Sequence, residues 1–249
     1  MKNFILALQF LTTISFKTKK VIDSDRLLQA TIYFPLVGLL LGLILAAVNI
    51  LFSYLGFSQL LTNTALVTLL IILTGGLHLD GLADTFDALL SRKGSLEMLE
   101  IMRDSHIGTM GVLSLITIIL FKISLLGSLD FTTKNITLLL MCFLSRYSLV
   151  AAMFLFPYAR QQGKAKIFMA GMDFRIFFLA TLTTLALVII LWQIKGLFCL
   201  ALVVVFVFLS GKFITKKIGG ITGDSLGAMN ELGEVLVLFV VFLLNRSLS

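Results

Sequence analysis

The chain reads as long apolar runs separated by short polar breaks. A spanning helix needs about 20 mostly apolar residues, because each residue rises about 1.5 Å across a hydrocarbon core roughly 30 Å thick. Seven runs approach that length, at approximately 32–57, 60–79, 107–128, 136–157, 174–194, 196–214 and 226–244. The sixth, within KGLFCLALVVVFVFLSGKF, is the shortest between its lysines. The opening MKNFILALQFLTTISF is interrupted by Gln9, Thr12 and Thr13 and lacks a small-residue cleavage site. It predicts a retained helix lying at the membrane interface. The expected fold is all-α: a polytopic membrane bundle of about seven transmembrane helices with an N-terminal interfacial helix.

Composition strengthens this picture. The chain is 59% hydrophobic and 13% charged, with 22 phenylalanines, well outside the range of soluble domains. Two prolines and no Pro/Ser-rich stretch leave nowhere for a linker, so residues 1–249 read as one membrane-embedded domain. Cys142 and Cys199 stand singly inside apolar runs, which suits buried reduced thiols better than a metal pair or a disulfide.

Charge then gives orientation, since short cytoplasmic loops are enriched in Lys and Arg. Lys2, Lys17, Lys19, Lys20 and Arg26 precede the first run; Arg92, Lys93 and Arg103 follow the second. Arg160, Lys164, Lys166 and Arg175 lie between the fourth and fifth, and Lys212, Lys216 and Lys217 between the sixth and seventh. Only Lys134, Lys195 and Arg246 fall on the other side, while Lys122 and Arg146 lie inside spans. The split predicts a cytoplasmic N-terminus, and it accounts for the net charge of +7 without any nucleic acid.

The second run ends in GGLHLDGLADTFDALLS. At 100° per residue, Asp80, Asp84 and Asp87 project within about 60° of one another on a helix. Three carboxylates on one face repel, and an Asp at the centre of a membrane helix costs roughly 2.5–3.5 kcal/mol on insertion scales. A hard cation such as Mg²⁺ offsets both penalties, since it takes carboxylate oxygens together with waters and substrate phosphates. A second acidic group, in GGITGDSLGAMNELGEV, carries Asp224, Asn230, Glu231 and Glu234 toward the same side, with glycines that permit close approach of a ligand. Basic groups complete the set: Arg103 with His106 in MRDSHIGTMG, Arg160 in FPYARQQG, and Arg146 within an apolar span, where an unpaired guanidinium is costly. Arg146 is therefore expected to face the interior and pair with an acid or a phosphate, whereas Lys122, nearer a span end, is expected to snorkel outward. His78 reads as a structural histidine more readily than as a base or ligand. Carboxylates for a metal and cations for phosphates in a membrane pocket describe transfer of a phosphorylated group. No G-x-x-x-x-G-K-[ST] is present to suggest nucleotide-driven transport.

Taken in order, LALQFLTTISF, FPLVGLLLG, GGLHLDGLADTFDALLS, IMRDSHIGTMGVL, FPYARQQG and ITGDSLGAMNELGE resemble the successive motifs of the cobalamin synthase (adenosylcobinamide-GDP ribazoletransferase) family across essentially the whole chain. Two departures are His106, where that family would have arginine, and Ala88, where it would have glycine. The resemblance implies a prokaryotic inner-membrane enzyme in which a ribose hydroxyl of α-ribazole, or of its 5′-phosphate, attacks the cobinamide-bearing phosphorus of adenosylcobinamide-GDP and GMP leaves. In that reading Asp80, Asp84 and Asp87 hold Mg²⁺ and supply the catalytic carboxylates. Arg103, Arg146 and Arg160 are candidates for the phosphates, and Asp224, Asn230 and Glu231 for a second metal or the ribose hydroxyls. Membrane lipid is the expected surrounding, no nucleic acid is expected, and a homo-oligomer is left open.

Two rivals stand beside it. Gly76, Asp80 and Asp84 match the G-x3-D-x3-D half of a CDP-alcohol phosphotransferase signature, but the upstream acidic half is missing, because residues 1–75 hold only Asp23 and Asp25. A cation-coupled transporter predicts acids near the midplane and paired halves. Here most acids fall at span ends on one side, and no repeat is seen.

Overall fold

The computed structural model describes residues 2–15, 24–160, 163 and 166–246. Lys17, Lys19, Lys20, Asp23 and Lys164 lie outside them. Helices follow in the order α1 (Lys2–Leu11), α2 (Ser24–Ala30), a 3₁₀ turn (Thr31–Tyr33), α3 (Phe34–Tyr54), α4 (Gln59–Thr74), α5 (Leu77–Leu90) and α6 (Ser95–Ile101). They continue with α7 (Thr109–Gly127), α8 (Phe131–Leu155), α9 (Lys166–Ala170), α10 (Phe174–Ile218) and α11 (Gly223–Arg246). The all-α fold is as expected; among the described residues the only extended pairing is one bridge between Tyr158 and Ile221.

Helix starts follow from side chains that satisfy the first free amides. Asp130 accepts from Thr133 N at 3.0 Å to open α8, and Asp173 accepts from Ile176 N at 2.8 Å to open α10. α8 is the axis of the bundle, with 83% of its apolar window buried. α3, α10 and α11 pack around it. Apolar side chains on the outer faces stay uncovered, among them Ile50 (53% exposed), Leu182 (53%) and Ile190 (76%), as a lipid-facing surface requires.

Five described helices are long and apolar enough to cross a membrane, or six if α4 and α5 are counted as one bent span. The expectation of about seven is met approximately, and the difference in count turns on two breaks. The run expected over 60–79 stops at Thr74, where Gly75 (φ 62°) and Gly76 (φ 69°) occupy the left-handed region and swing α5 through 91°; side chains rarely adopt that conformation. α5 therefore turns away from the axis of α4 and packs against α7 and α11 near their starts. The second break is inside α10, whose 45 residues would measure about 68 Å if straight, but Trp192 and Gln193 leave helical geometry. A Cβ on Gly196 would lie 2.9 Å from the Val188 carbonyl oxygen. Residues eight apart on a straight helix are about 12 Å apart, so the chain folds back there and the two arms match the runs expected at 174–194 and 196–214. α1, only 10 residues long, is too short to span.

Loops from four places meet at one end. Thr13 N donates to Leu73 O at 2.8 Å, tying the chain after α1 to the α4–α5 junction. Ala159 N donates to Ile221 O at 2.9 Å and Ile221 N to Pro157 O at 2.8 Å, joining the α8–α9 segment to the α10–α11 turn.

Candidate functional site

Where α5 crosses the start of α11, the two backbones touch. A Cβ on Gly81 would meet the Asp224 carbonyl oxygen at 2.6 Å, and one on Gly227 would meet the His78 carbonyl oxygen at 3.0 Å. Glycine at both positions is what lets Asp80 and Asp84 on α5 approach Asp224 on α11. Across from them, Arg160 Nη2 lies 2.7 Å from Asp224 Oδ2. Burial pushes the Asp84 carboxyl up to about 7, helped by the charges of Asp80, Asp224 and Asp87 and opposed by Arg160. The carboxylates are thus close enough to burden one another.

Two hollows meet at Asp80 of this group. A cavity of about 290 Å³ is lined by His78, Asp80, Asp224, Arg160 and Tyr158 with a set of apolar side chains. A more open groove of about 570 Å³ runs along Gly75, Gly76, Ala83 and Ile107. Phe10, Leu77 and Asp80 border both. Burial raises the Tyr158 hydroxyl above its usual range, with the Arg160 and Arg103 charges opposing; Arg103 is exposed and lines neither hollow.

Asp87 has another role. Its two oxygens accept from Gly108 N at 2.7 Å and Gly111 N at 2.8 Å, so the carboxylate caps α7, whose first amides have no partner of their own. His106 is turned outward, its ring nitrogen 2.6 Å from Asp104 with 90% of the side chain exposed. The hydrogen bond to Asp104 raises its pKa.

Arg146, Asn230 and Glu231 lie deeper, in a buried network apart from the cavity lining. Arg146, 0% exposed, pairs with Glu234, and its Nη1 also donates to Ser145 Oγ at 2.9 Å. Arg146 faces the interior as expected, and of the two partners expected for it the structure shows the acid. Lys122 does not snorkel outward: it is 3% exposed, lies 2.6 Å from Glu231 and also pairs with Glu234. Asn230 Nδ2 donates to Glu231 at 3.4 Å and to Glu234 at 3.3 Å. Two cations and two anions balance, which is how a membrane interior tolerates them. Of the sequence candidates, Asp80, Asp84, Asp224 and Arg160 are brought together, while Arg103 lies outside the lining of both hollows. Phe10, Phe34, Phe168 and Tyr158 were missed, since nothing separates those phenylalanines from the other apolar positions of the chain.

Among the described residues no group of three or more His, Cys, Asp or Glu side chains is gathered tightly enough to hold a metal ion alone. Mg²⁺ does not require one, because it binds through one or two carboxylates plus waters and substrate phosphates. The all-oxygen donors Asp80 and Asp84, with Asp84 pushed toward neutrality by burial and by the neighbouring carboxylates, fit that ion.

Fold and site together define a polytopic membrane protein with an acidic, arginine-flanked pocket at one end of its bundle. The profile of the family described as cobalamin-5-phosphate synthase matches residues 3–242. Proteins named adenosylcobinamide-GDP ribazoletransferase from Desulforamulus reducens, Caldanaerobacter subterraneus subsp. tengcongensis and Clostridioides difficile are 39%, 37% and 33% identical to this chain. The alignments cover 96%, 97% and 98% of it and 95%, 98% and 98% of the relatives. No solved structure matches. The chain belongs to the cobalamin-5-phosphate synthase family and is a membrane transferase of cobalamin biosynthesis.

Proposed function

We propose that the chain joins adenosylcobinamide-GDP to α-ribazole, or to its 5′-phosphate, with release of GMP, and that it does so with Mg²⁺ bound at Asp80 and Asp84. The observation that carries this reading is that Asp80, which borders both hollows, stands beside Asp84, Asp224 and Arg160, because a two-substrate joining reaction needs two pockets and one shared reacting point. When bound, the ion would neutralise diphosphate charge. The protein's own part is positioning and proton handling. Arg160, on Asp224, presents a guanidinium to phosphate oxygens at the cavity mouth. Asp80, bordering both hollows, accepts the proton of the ribose hydroxyl as its oxygen bonds to the cobinamide-bearing phosphorus. The bond from that phosphorus to the bridging oxygen breaks, and GMP departs with that oxygen.

The test is release of GMP by the purified protein in lipid, given adenosylcobinamide-GDP and α-ribazole, with and without Mg²⁺. Metal-dependent release supports the assignment; a folded protein that makes no product under either condition overturns it.

Asp87 belongs in this reading as the residue that positions the start of α7. Asp87→Ala removes both amide contacts and is expected to cost about 1–2 kcal/mol of stability while the Mg²⁺ concentration for half-maximal rate stays put. A thermal melt paired with an Mg²⁺ titration checks it, and a shifted titration with an unchanged melt would make Asp87 a ligand.

The distribution of basic residues supports a cytoplasmic placement of the N-terminus and the site. Single cysteines at Arg92 and Lys216 should therefore resist a membrane-impermeant thiol reagent in intact cells and react after the membrane is opened. Labelling of either one in intact cells contradicts that orientation. The α8–α9 loop near Lys164 is expected to behave alike.

A further inference from the structure

We propose that the smaller cavity holds the heterocyclic base of the ribazole substrate, stacked on a wall of Phe10, Phe34 and Phe168, with His78 Nε2 giving the base its one hydrogen bond. The inference rests on the reaction proposed above and assigns a substrate to each hollow.

The cavity, at about 290 Å³, sits at the small end of ligand pockets, which run from about 300 to 1,000 Å³. One wall is aromatic. Phe10 and Phe34 lie 5.9 Å apart, 13° from parallel, and Phe168 is 4.5 Å from Phe10 and 6.0 Å from Phe34. Leu149, Met153 and Leu226 add further apolar lining. Polar groups are confined to Arg160, Asp224, Asp80 and Tyr158, with one exception. His78 lines the cavity at 4% exposure, and its buried Nε2 has no hydrogen-bond partner. A buried polar atom left without a partner is uncommon and costly.

Three parts of the two substrates compete for this space. The corrin ring with its amide arms is far too large. Guanine carries an amide and an amine on its edges, and the two charged groups best suited to meet them, Asp224 and Arg160, are already paired with each other at 2.7 Å, so burial against the aromatic wall leaves most of those edges unpaired. The dimethylbenzimidazole of α-ribazole is flat, apolar and small, and it exposes one ring nitrogen as an acceptor. In the tautomer that carries the proton on Nε2, a turn of the His78 ring that brings this buried nitrogen to the cavity wall lets it donate to the nitrogen of the base, and the base stacks on the phenylalanines. The sugar then falls at Asp80, Asp224 and Arg160. That leaves the open groove beyond Asp80 for the diphosphate and corrinoid of the larger substrate, so hydroxyl and phosphorus meet across Asp80.

Binding of α-ribazole alone, measured by calorimetry on protein in nanodiscs, tests the cavity separately from turnover. Met153→Trp fills the space and should weaken α-ribazole by on the order of tenfold or more, a loss of about 1.4 kcal/mol, while the KM for adenosylcobinamide-GDP changes by no more than about twofold. Should Met153→Trp misfold, Phe168→Leu reads the same wall with a smaller change. The indole counterpart of α-ribazole, which lacks the acceptor nitrogen, should bind the native protein about tenfold more weakly than α-ribazole. His78→Ala should lose that discrimination, and His78→Gln should recover part of it through its amide donor. The assignment is overturned if Met153→Trp or Phe168→Leu raises the KM for adenosylcobinamide-GDP and leaves α-ribazole alone, or if GMP displaces α-ribazole from the native protein. It is also overturned if the native protein does not distinguish the indole analogue. A protein that binds α-ribazole in this pattern but releases no GMP would sink the proposed reaction and leave the base site standing.

Discussion

Asp80→Asn and Asp84→Asn are expected to lower kcat/KM by on the order of a hundredfold or more. Each removes a negative charge with little change of shape, and losing a metal ligand can cost several kcal/mol at the transition state, where every 1.36 kcal/mol is about tenfold. Stability should move the other way. Asp84 is half-buried beside Asp80, Asp224 and Asp87, so neutralising it relieves repulsion in the metal-free protein, and Asp84→Asn should melt no lower than the native protein without Mg²⁺. The two measurements together distinguish metal ligands from acids that merely end a helix. Near-native rates with unchanged Mg²⁺ dependence in both variants would remove the metal assignment from α5.

Glu234→Gln is expected to be the most damaging single change to the fold. It leaves Lys122 and Arg146 buried with only Glu231 between them. Removing one partner of a buried pair typically costs about 3–5 kcal/mol. Arg146→Met combined with Glu234→Leu removes one charge of each sign and keeps Lys122 with Glu231, so the double variant should melt above either single one. Melting curves in detergent, with a double-mutant cycle, give the coupling. If Glu234→Gln melts like the native protein, the network is not what holds α7, α8 and α11 together.

How much of this was readable beforehand depended on whether the signal was local. Run length marked α3, α7, α8 and α11 to within a few residues, because the thickness of a bilayer is imposed on each helix separately. The 91° turn at Gly75–Gly76 was less legible: apolar residues continue through Leu77 and Leu79, and hydropathy carries no direction. The break at Trp192–Gln193 has neither proline nor glycine at the two departing residues to announce it. Helical spacing put Asp80, Asp84 and Asp87 on one face. It could not tell that Asp87 would be taken up by the amides of α7, which are supplied from 21 and 24 residues away. The misjudged position of Lys122 has a similar cause. Its partners lie 109 and 112 residues on, although two cations inside spans and two acids three residues apart in the last one form a neutral set that counting charges would have suggested.

That network also imposes an order on biosynthesis. A chain emerges from its N-terminus, so Lys122 and Arg146 reach the translocation machinery well before either glutamate exists. Until α11 is made, both cations must be shielded by water, lipid headgroups or the insertion apparatus, since a bare charge in hydrocarbon is expensive. The last helix is therefore the closing piece of the bundle. A ribosome stalled before residue 231 would leave a nascent chain whose earlier helices have no settled arrangement, a natural substrate for membrane quality control.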